Sequence, residues 1–142
     1  MPAVNPYLLF NGNAGEAVDF YQSVFGIEPI ITRFRDMGDT PADMPEDVLN
    51  RVANAQLPLS ETNILMLSDC PPGTEIDNSK PAFTVQLETD SAEEAERLFN
   101  ALAVEGKVEM PFGPVQWAEA FGMLTDKFSV PWMVNYTGNA QM

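Results

Sequence analysis

Histidine is absent from the 142 residues, and cysteine occurs once, as Cys70. Ser-His-Asp and Cys-His catalysis need an imidazole, so both are excluded. His-bearing zinc sites and the two-His-one-carboxylate iron site fall with them. A thiolate-rich metal site fails on a single cysteine, so any metal would rest on oxygen ligands. Cys70 stands beside prolines with no basic neighbour to activate it, and reads as incidental. Residues that alternate along a strand share a face. Trp117, Glu119 and Phe121 therefore share one, an acid between two aromatics. Such a surface suits a cationic, partly apolar ligand; a solvated Glu beside core aromatics is the other reading. Asn54 and Gln56 share a face by the same rule. Tyr7 and Asn135 could hydrogen-bond a ligand but read first as core or edge residues. Met66, Met110, Met123 and Met133 read first as fillers of irregular core gaps, with a pliable binding surface as the other reading.

Charge narrows the partners. Seven Lys and Arg stand against 21 Asp and Glu, a net charge of −14. A nucleic-acid backbone or an anionic membrane surface is repelled, so neither is an expected partner. The acidity serves solubility and leaves a neutral or cationic small molecule as the expected ligand. The first five residues lack the basic-then-apolar pattern of a secretory signal, and a lone cysteine suits a reducing compartment. A cytoplasmic location is expected.

The elements that must position these residues repeat. Residues 5–10 form a largely apolar run ended by Asn11-Gly12-Asn13, which predicts a short buried strand. Asn13 with Glu16 approximates a capping box, Ala17, Phe20, Tyr21 and Val24 follow at helical spacing, and Gly26 stops the helix. Residues 82–88 alternate as a strand, Ser91 and Glu94 form a capping box, Ala95, Leu98, Phe99 and Leu102 give the stripe, and Gly106 closes it. Caps, helix faces and preceding strands share an offset of 78 residues. The spacing predicts helices over 13–25 and 91–104. Strands are expected over 28–35, 51–59 and 63–68, and again over 107–112, 117–124 and 131–136. The acidic, Pro-broken stretch 36–50 reads as a loop, with Pro45 able to open a helical turn. Residues 1–70 and 82–142 are then two modules, joined by a connector over 71–81. Met66-Leu67-Ser68-Asp69 and Met123-Leu124-Thr125-Asp126 look alike but break the offset, so they read as non-equivalent.

Particular residues carry a resemblance. The opening Pro6-Tyr7-Leu8-Leu9-Phe10-Asn11-Gly12-Asn13-Ala14, with Glu16-Ala17 and Phe20-Tyr21, is similar to PhnB-like proteins. So is the ending: Gly106 to Met110, Trp117-Ala118, Phe121-Gly122 and Thr125 to Asn135. These proteins, many labelled 3-demethylubiquinone 3-methyltransferase-like, belong to the glyoxalase/bleomycin-resistance/dioxygenase group, the vicinal oxygen chelate superfamily. The resemblance implies an α+β fold in which two βαβββ modules form a curved eight-stranded mixed sheet around a cleft. Enzyme members hold a divalent metal there on His and Glu; bleomycin-resistance members bind a ligand without a catalytic metal. The ligand positions carried over fall near Pro6 and Met133, which cannot hold a hard cation. Two places where relatives often carry His hold Asn54 and Glu119, whose oxygens leave only a weak Mg or Ca site.

The expected site is Asn54, Gln56, Trp117, Glu119, Phe121 and Trp132. It is expected to take a small, cationic or aromatic molecule without a transition metal or other cofactor, in a homodimer. Two alternatives stand beside this reading. One is a lyase, transferase or dioxygenase-type enzyme using an oxygen-ligated divalent metal or Glu119 as general base. The other is a structural dimer with no ligand.

Overall fold

The computed structural model describes residues 2–38, 43–71, 73–77, 79 and 81–139. Asp39, Pro41 and Pro72, which contributed to the loop and connector readings, lie outside them. The chain divides into two compact units, Met1–Ile76 and Asp77–Met142. Each has the order strand, helix, three strands, and the eight strands pair as two four-stranded mixed sheets. Each unit thus carries the expected strand, helix and three-strand module, with ladder hydrogen bonds joining its four strands.

In the first unit β1 (Tyr7–Phe10) leads into α1 (Ala14–Phe25), then β2 (Ile30–Arg33), a short α2 (Glu46–Leu49), β3 (Val52–Pro58) and β4 (Ile64–Asp69). A 3₁₀ turn over Phe34–Met37 follows β2. The sheet order is β1-β4-β3-β2, with β1 parallel to β4 and the remaining pairs antiparallel. The stripe Ala14, Ala17, Val18, Tyr21 and Val24 is buried, and α1 covers β3 and β4. Beneath it Ala55, Leu57, Leu65 and Leu67 are wholly buried, the large ones each stabilising by roughly 1.5–3 kcal/mol. Gly26 ends α1 at φ 67°, where its N–H reaches the Gln22 carbonyl; glycine adopts this left-handed conformation without a Cβ penalty.

The start of α1 departs from expectation. Asn13 makes no side-chain cap. Asp69, at the end of β4, takes that role: its Oδ1 accepts the N–H of Gly12 at 2.8 Å and of Ala14 at 2.9 Å. Its Oδ2 accepts the Val52 N–H at 3.0 Å. One buried carboxylate thus ties the head of α1 to the start of β3, which an asparagine side chain at the helix end cannot do.

The second unit runs β5 (Val85–Glu88), α3 (Ala92–Leu102), β6 (Lys107–Val115), β7 (Ala118–Thr125) and β8 (Pro131–Tyr136), in sheet order β5-β8-β7-β6. Here the expected cap forms, the Ser91 hydroxyl accepting the Glu94 N–H at 3.1 Å. Ala95, Leu98, Phe99 and Leu102 are buried where α3 packs on β7 and β8. A Cβ on Gly122 would lie 2.5 Å from the Phe99 ring, so this contact requires glycine.

The strand offset is also corrected. Leu8 and Phe10 are buried, yet Gln86 and Glu88, 78 residues on, are exposed. Leu87 pairs with the buried Val134, as Leu8 pairs with the buried Leu67. The element bounds keep the 78-residue offset, 7 to 85 for the strands and 14 to 92 for the helices, but the faces and partners of the strands correspond at 79. A shift of one residue exchanges the two faces of a strand.

Candidate functional site

In each unit the helix occupies one sheet face and strand alternation assigns the other. On the helix-free face of the first unit, register aligns Tyr7, Met66, Gln56 and Ile30 in one row across all four strands. Tyr7 is 44% and Ile30 62% exposed, so apolar surface on this face is open. Leu9 and Thr32 belong to the same face one pleat on, as does Asn54, the partner of Thr32. The Tyr7 hydroxyl donates to Asn54 Oδ1 at 3.2 Å. The Asn54 NH₂ and the whole Gln56 carboxamide have no hydrogen-bond partner among the described residues. Two amides with unspent capacity thus sit beside aromatic and thioether surface, the composition of small-molecule sites.

The second unit has a comparable row. Because Gly122 faces α3, its neighbours Phe121 and Met123 point to the helix-free side. Register lines up Gln86, Met133, Met123 and Met110 across all four strands. Phe121 pairs with Asn135, and Trp117 stacks edge-on against Phe121 with ring centroids 5.2 Å apart. Asn135 Nδ2 donates to Glu88 Oε1 at 2.6 Å and to Thr137 Oγ1 at 3.0 Å. Its buried Oδ1 has no partner.

The residues singled out from sequence fall into three groups. Asn54 and Gln56 share a face of the first sheet. Trp117 and Phe121 meet in the second unit. Trp132 is a correction: it is wholly buried, alternates with Met133 onto the α3 side, and its Nε1–H donates to Asp126 Oδ2 at 2.8 Å. Glu119 is exposed, but it does not stand free between the aromatics. Its Oε2 accepts the Asn139 N–H, and its own N–H donates to the Thr137 carbonyl. The methionines do not fill the core as first expected: none of Met66, Met110, Met123 and Met133 is buried, and all lie on helix-free faces. Alternation carried the signal, since Met133 must face away once Trp132 faces the helix. Asp77, at the boundary between the units, has its carboxyl held below the ordinary value by the Ser79 hydroxyl and N–H, and it takes no part in either face.

The positions implied for a metal do not fit one. Pro6 has no donor, Met133 offers a soft thioether, the Asn54 oxygen accepts from Tyr7, and Glu119 accepts from the backbone. Among the described residues no three Asp, Glu or Cys side chains come together as a ligand set.

Two units of this topology make a glyoxalase-like α+β fold, and the structure of a possible glyoxalase from Bacillus cereus matches it with TM-score 0.58 at 18% identity over 95% of this chain and 98% of that one. The chain belongs to the PhnB-like family described as 3-demethylubiquinone-9 3-methyltransferase, whose model matches residues 2–135. It is similar to the protein YjdN of Escherichia coli K12, with 34% identity over 140 residues, covering 93% of each chain. The crystal structure of PA1353 from Pseudomonas aeruginosa matches with TM-score 0.81 at 40% identity over 100% of both chains. The PhnB protein from Bacillus cereus matches with TM-score 0.69 at 27% identity over 95% of this chain and 99% of that one. No helix among the described residues is long and apolar enough to cross a membrane.

Proposed function

We propose that this chain binds a small aromatic or apolar molecule on the helix-free sheet faces, without transition-metal chemistry. The observation that carries the reading is the pair of cross-strand rows, Tyr7–Met66–Gln56–Ile30 and Gln86–Met133–Met123–Met110. A row that only filled a core would be buried and fully apolar; these are open in part and interleave amides with thioethers. Methionine conforms to ligands of varied outline, and the unspent amides of Asn54 and Gln56 fix orientation. A cationic ring remains within the class, because an aromatic face such as that of Trp117 attracts it.

Methyl transfer, which the family's description names, is not part of the proposal. It would ask the chain for a base at the acceptor oxygen. The carboxylates on the second face are committed elsewhere: Glu88 to Asn135, Thr137 and the Thr137 N–H, Glu119 to the Asn139 N–H.

The test is a thermal-shift screen of aromatic, apolar and cationic metabolites, then titration of the strongest hit. Tyr7 and Trp117 are 44% and 43% exposed, so their truncation spares the fold. Tyr7→Ala or Trp117→Ala is expected to weaken binding by about 1–3 kcal/mol, the scale of a lost buried contact. Trp132→Phe, in the core, should leave affinity unchanged. Equal affinity in wild type, Tyr7→Ala and Trp117→Ala would remove both faces from the binding reading.

A further inference from the structure

A separate cavity of about 320 Å³ lies within the first unit and shares no lining residue with either row. Gly15 and Glu16 of α1, Arg33, Asn50, Arg51 and Asp69 line it. Two of the chain's seven cationic side chains therefore face one small space in a molecule of charge −14.

Arg51 is the unusual member. A guanidinium carries five N–H donors, and partly buried ones are ordinarily spent. The Arg51 side chain is 31% exposed, yet it makes no hydrogen bond among the described residues. Its nearest carboxylate, Asp47 Oδ2, stands 3.9 Å away, beyond hydrogen-bond reach, on a side chain that is itself 75% exposed. The guanidinium lies beside Gly12, where a Cβ would meet Arg51 Cζ in ordinary contact at 3.5 Å. Arg33 spends one donor on the Asn50 carbonyl, at 2.6 Å. Around the same space the N–H groups of Gly15 and Glu16 have no partner among the described residues.

Asp47 meets Arg51 only as an exposed ion pair at 3.9 Å, and the other acids present do not use these donors. Asp69 is spent on Gly12, Ala14 and Val52. Glu16 and Asp47 are exposed to solvent, where screening reduces their repulsion of a bound anion.

We propose that this cavity binds a small oxyanion, a phosphate or carboxylate group. Arg51 would supply a two-pronged contact, Arg33 a second positive charge, and the first turn of α1 its free N–H groups. A forked guanidinium matches either head group, and oriented N–H groups add to the field. The site is independent of the sheet-face reading, and neither depends on the other.

The experiment is an amide and Arg Nε NMR titration at fixed ionic strength. The probes are inorganic phosphate and malonate, with chloride as reference. Saturable shifts at Gly15, Glu16 and Arg51 Nε are expected with phosphate, malonate or both, and the stronger probe identifies the head group. Arg51→Gln should weaken binding at least tenfold. Arg51→Lys, which keeps the charge and loses the fork, should fall between it and the wild type. Lys107→Gln, which removes the same charge from the second unit, should bind as the wild type does. If Arg51→Gln fails to fold, the Arg51→Lys comparison decides. Linear, unsaturable shifts with both probes would overturn the proposal. So would shifts that chloride reproduces, or an affinity indifferent to Arg51→Lys and Arg51→Gln.

Discussion

A carboxylate taken out of water must be given donors, and Asp69 and Asp126 receive at least three each among the described residues. Both follow a Met-Leu-hydroxyl triplet, but Asp69 ends β4 while Asp126 follows β7, so the likeness is chemical and not positional. Asp69→Asn would keep an oxygen for Gly12 and Ala14 and turn an NH₂ toward the Val52 N–H. That donor-to-donor clash is expected to cost about 1–3 kcal/mol, read as a lower urea midpoint at unchanged slope. Asp126 binds the N–H groups of Phe128 and Val130 through Oδ1 and the Trp132 indole through Oδ2. Trp132→Phe is expected to lower stability by about 1–3 kcal/mol while leaving the turn bonds in place, checked by the same denaturation. Neither role was legible beforehand. A helix cap was sought beside the helix, on Asn13, whereas its acceptor arrives from the far end of the sheet. Trp132 was read as a ligand contact because an aromatic residue is equally at home in a core or a binding face. Its partner Asp126, six residues earlier, was the available clue.

At the level of the elements, local pattern carried far. The helices, the three strands after each and the helical turn at Pro45 all appear within a few residues of their expected limits. Periodicity and caps are local signals, so one chain suffices to read them. Which face a strand turns to the helix is not local. It depends on register with the neighbouring strand, which places Leu8 and Leu87 in corresponding positions 79 residues apart while the element bounds keep 78. The methionine rows were hidden for the same reason, being defined by register between strands and not by spacing within one. Packing at Gly122 is set by the helix above it. Gly122→Ala would drive a methyl against Phe99 and is expected to cost about 1–3 kcal/mol, as overpacked cores do. The outer strand β6 shows another device. It has nine residues, with Val108 and Met110 exposed, and one of its edges has no partner strand in the sheet. Pro111 and Pro114 lack N–H groups, and Lys107 and Glu109 place charge beside them, which discourages edge pairing. Replacing both prolines with valine should raise light scattering on heating without improving the fold.

Across the whole molecule the dominant quantity is the net charge of −14 on 142 residues. Two electrostatic effects oppose each other as salt is added. Screening weakens the ion pairs, of which the described residues contain Arg35–Glu46, Arg51–Asp47, Lys107–Glu109 and Lys127–Glu105. All have a partner at least 42% exposed, and such pairs contribute only about 0–1 kcal/mol each. Screening also relieves repulsion among three acids for every base, which acts over the entire surface. The Debye length falls from roughly 30 Å at 0.01 M to roughly 8 Å at 0.15 M, so most of that long-range repulsion is removed while close pairs persist. Relief should win, and the thermal midpoint is expected to rise between those salt concentrations. The same balance governs association. We propose that two copies pair, and each encounter must overcome repulsion between like-charged chains. Sedimentation at micromolar protein should therefore show the dimer fraction growing with sodium chloride over this range. A single monomeric species at 0.15 M would refute the pairing. A thermal midpoint that falls with salt would show that the ion pairs outweigh the repulsion.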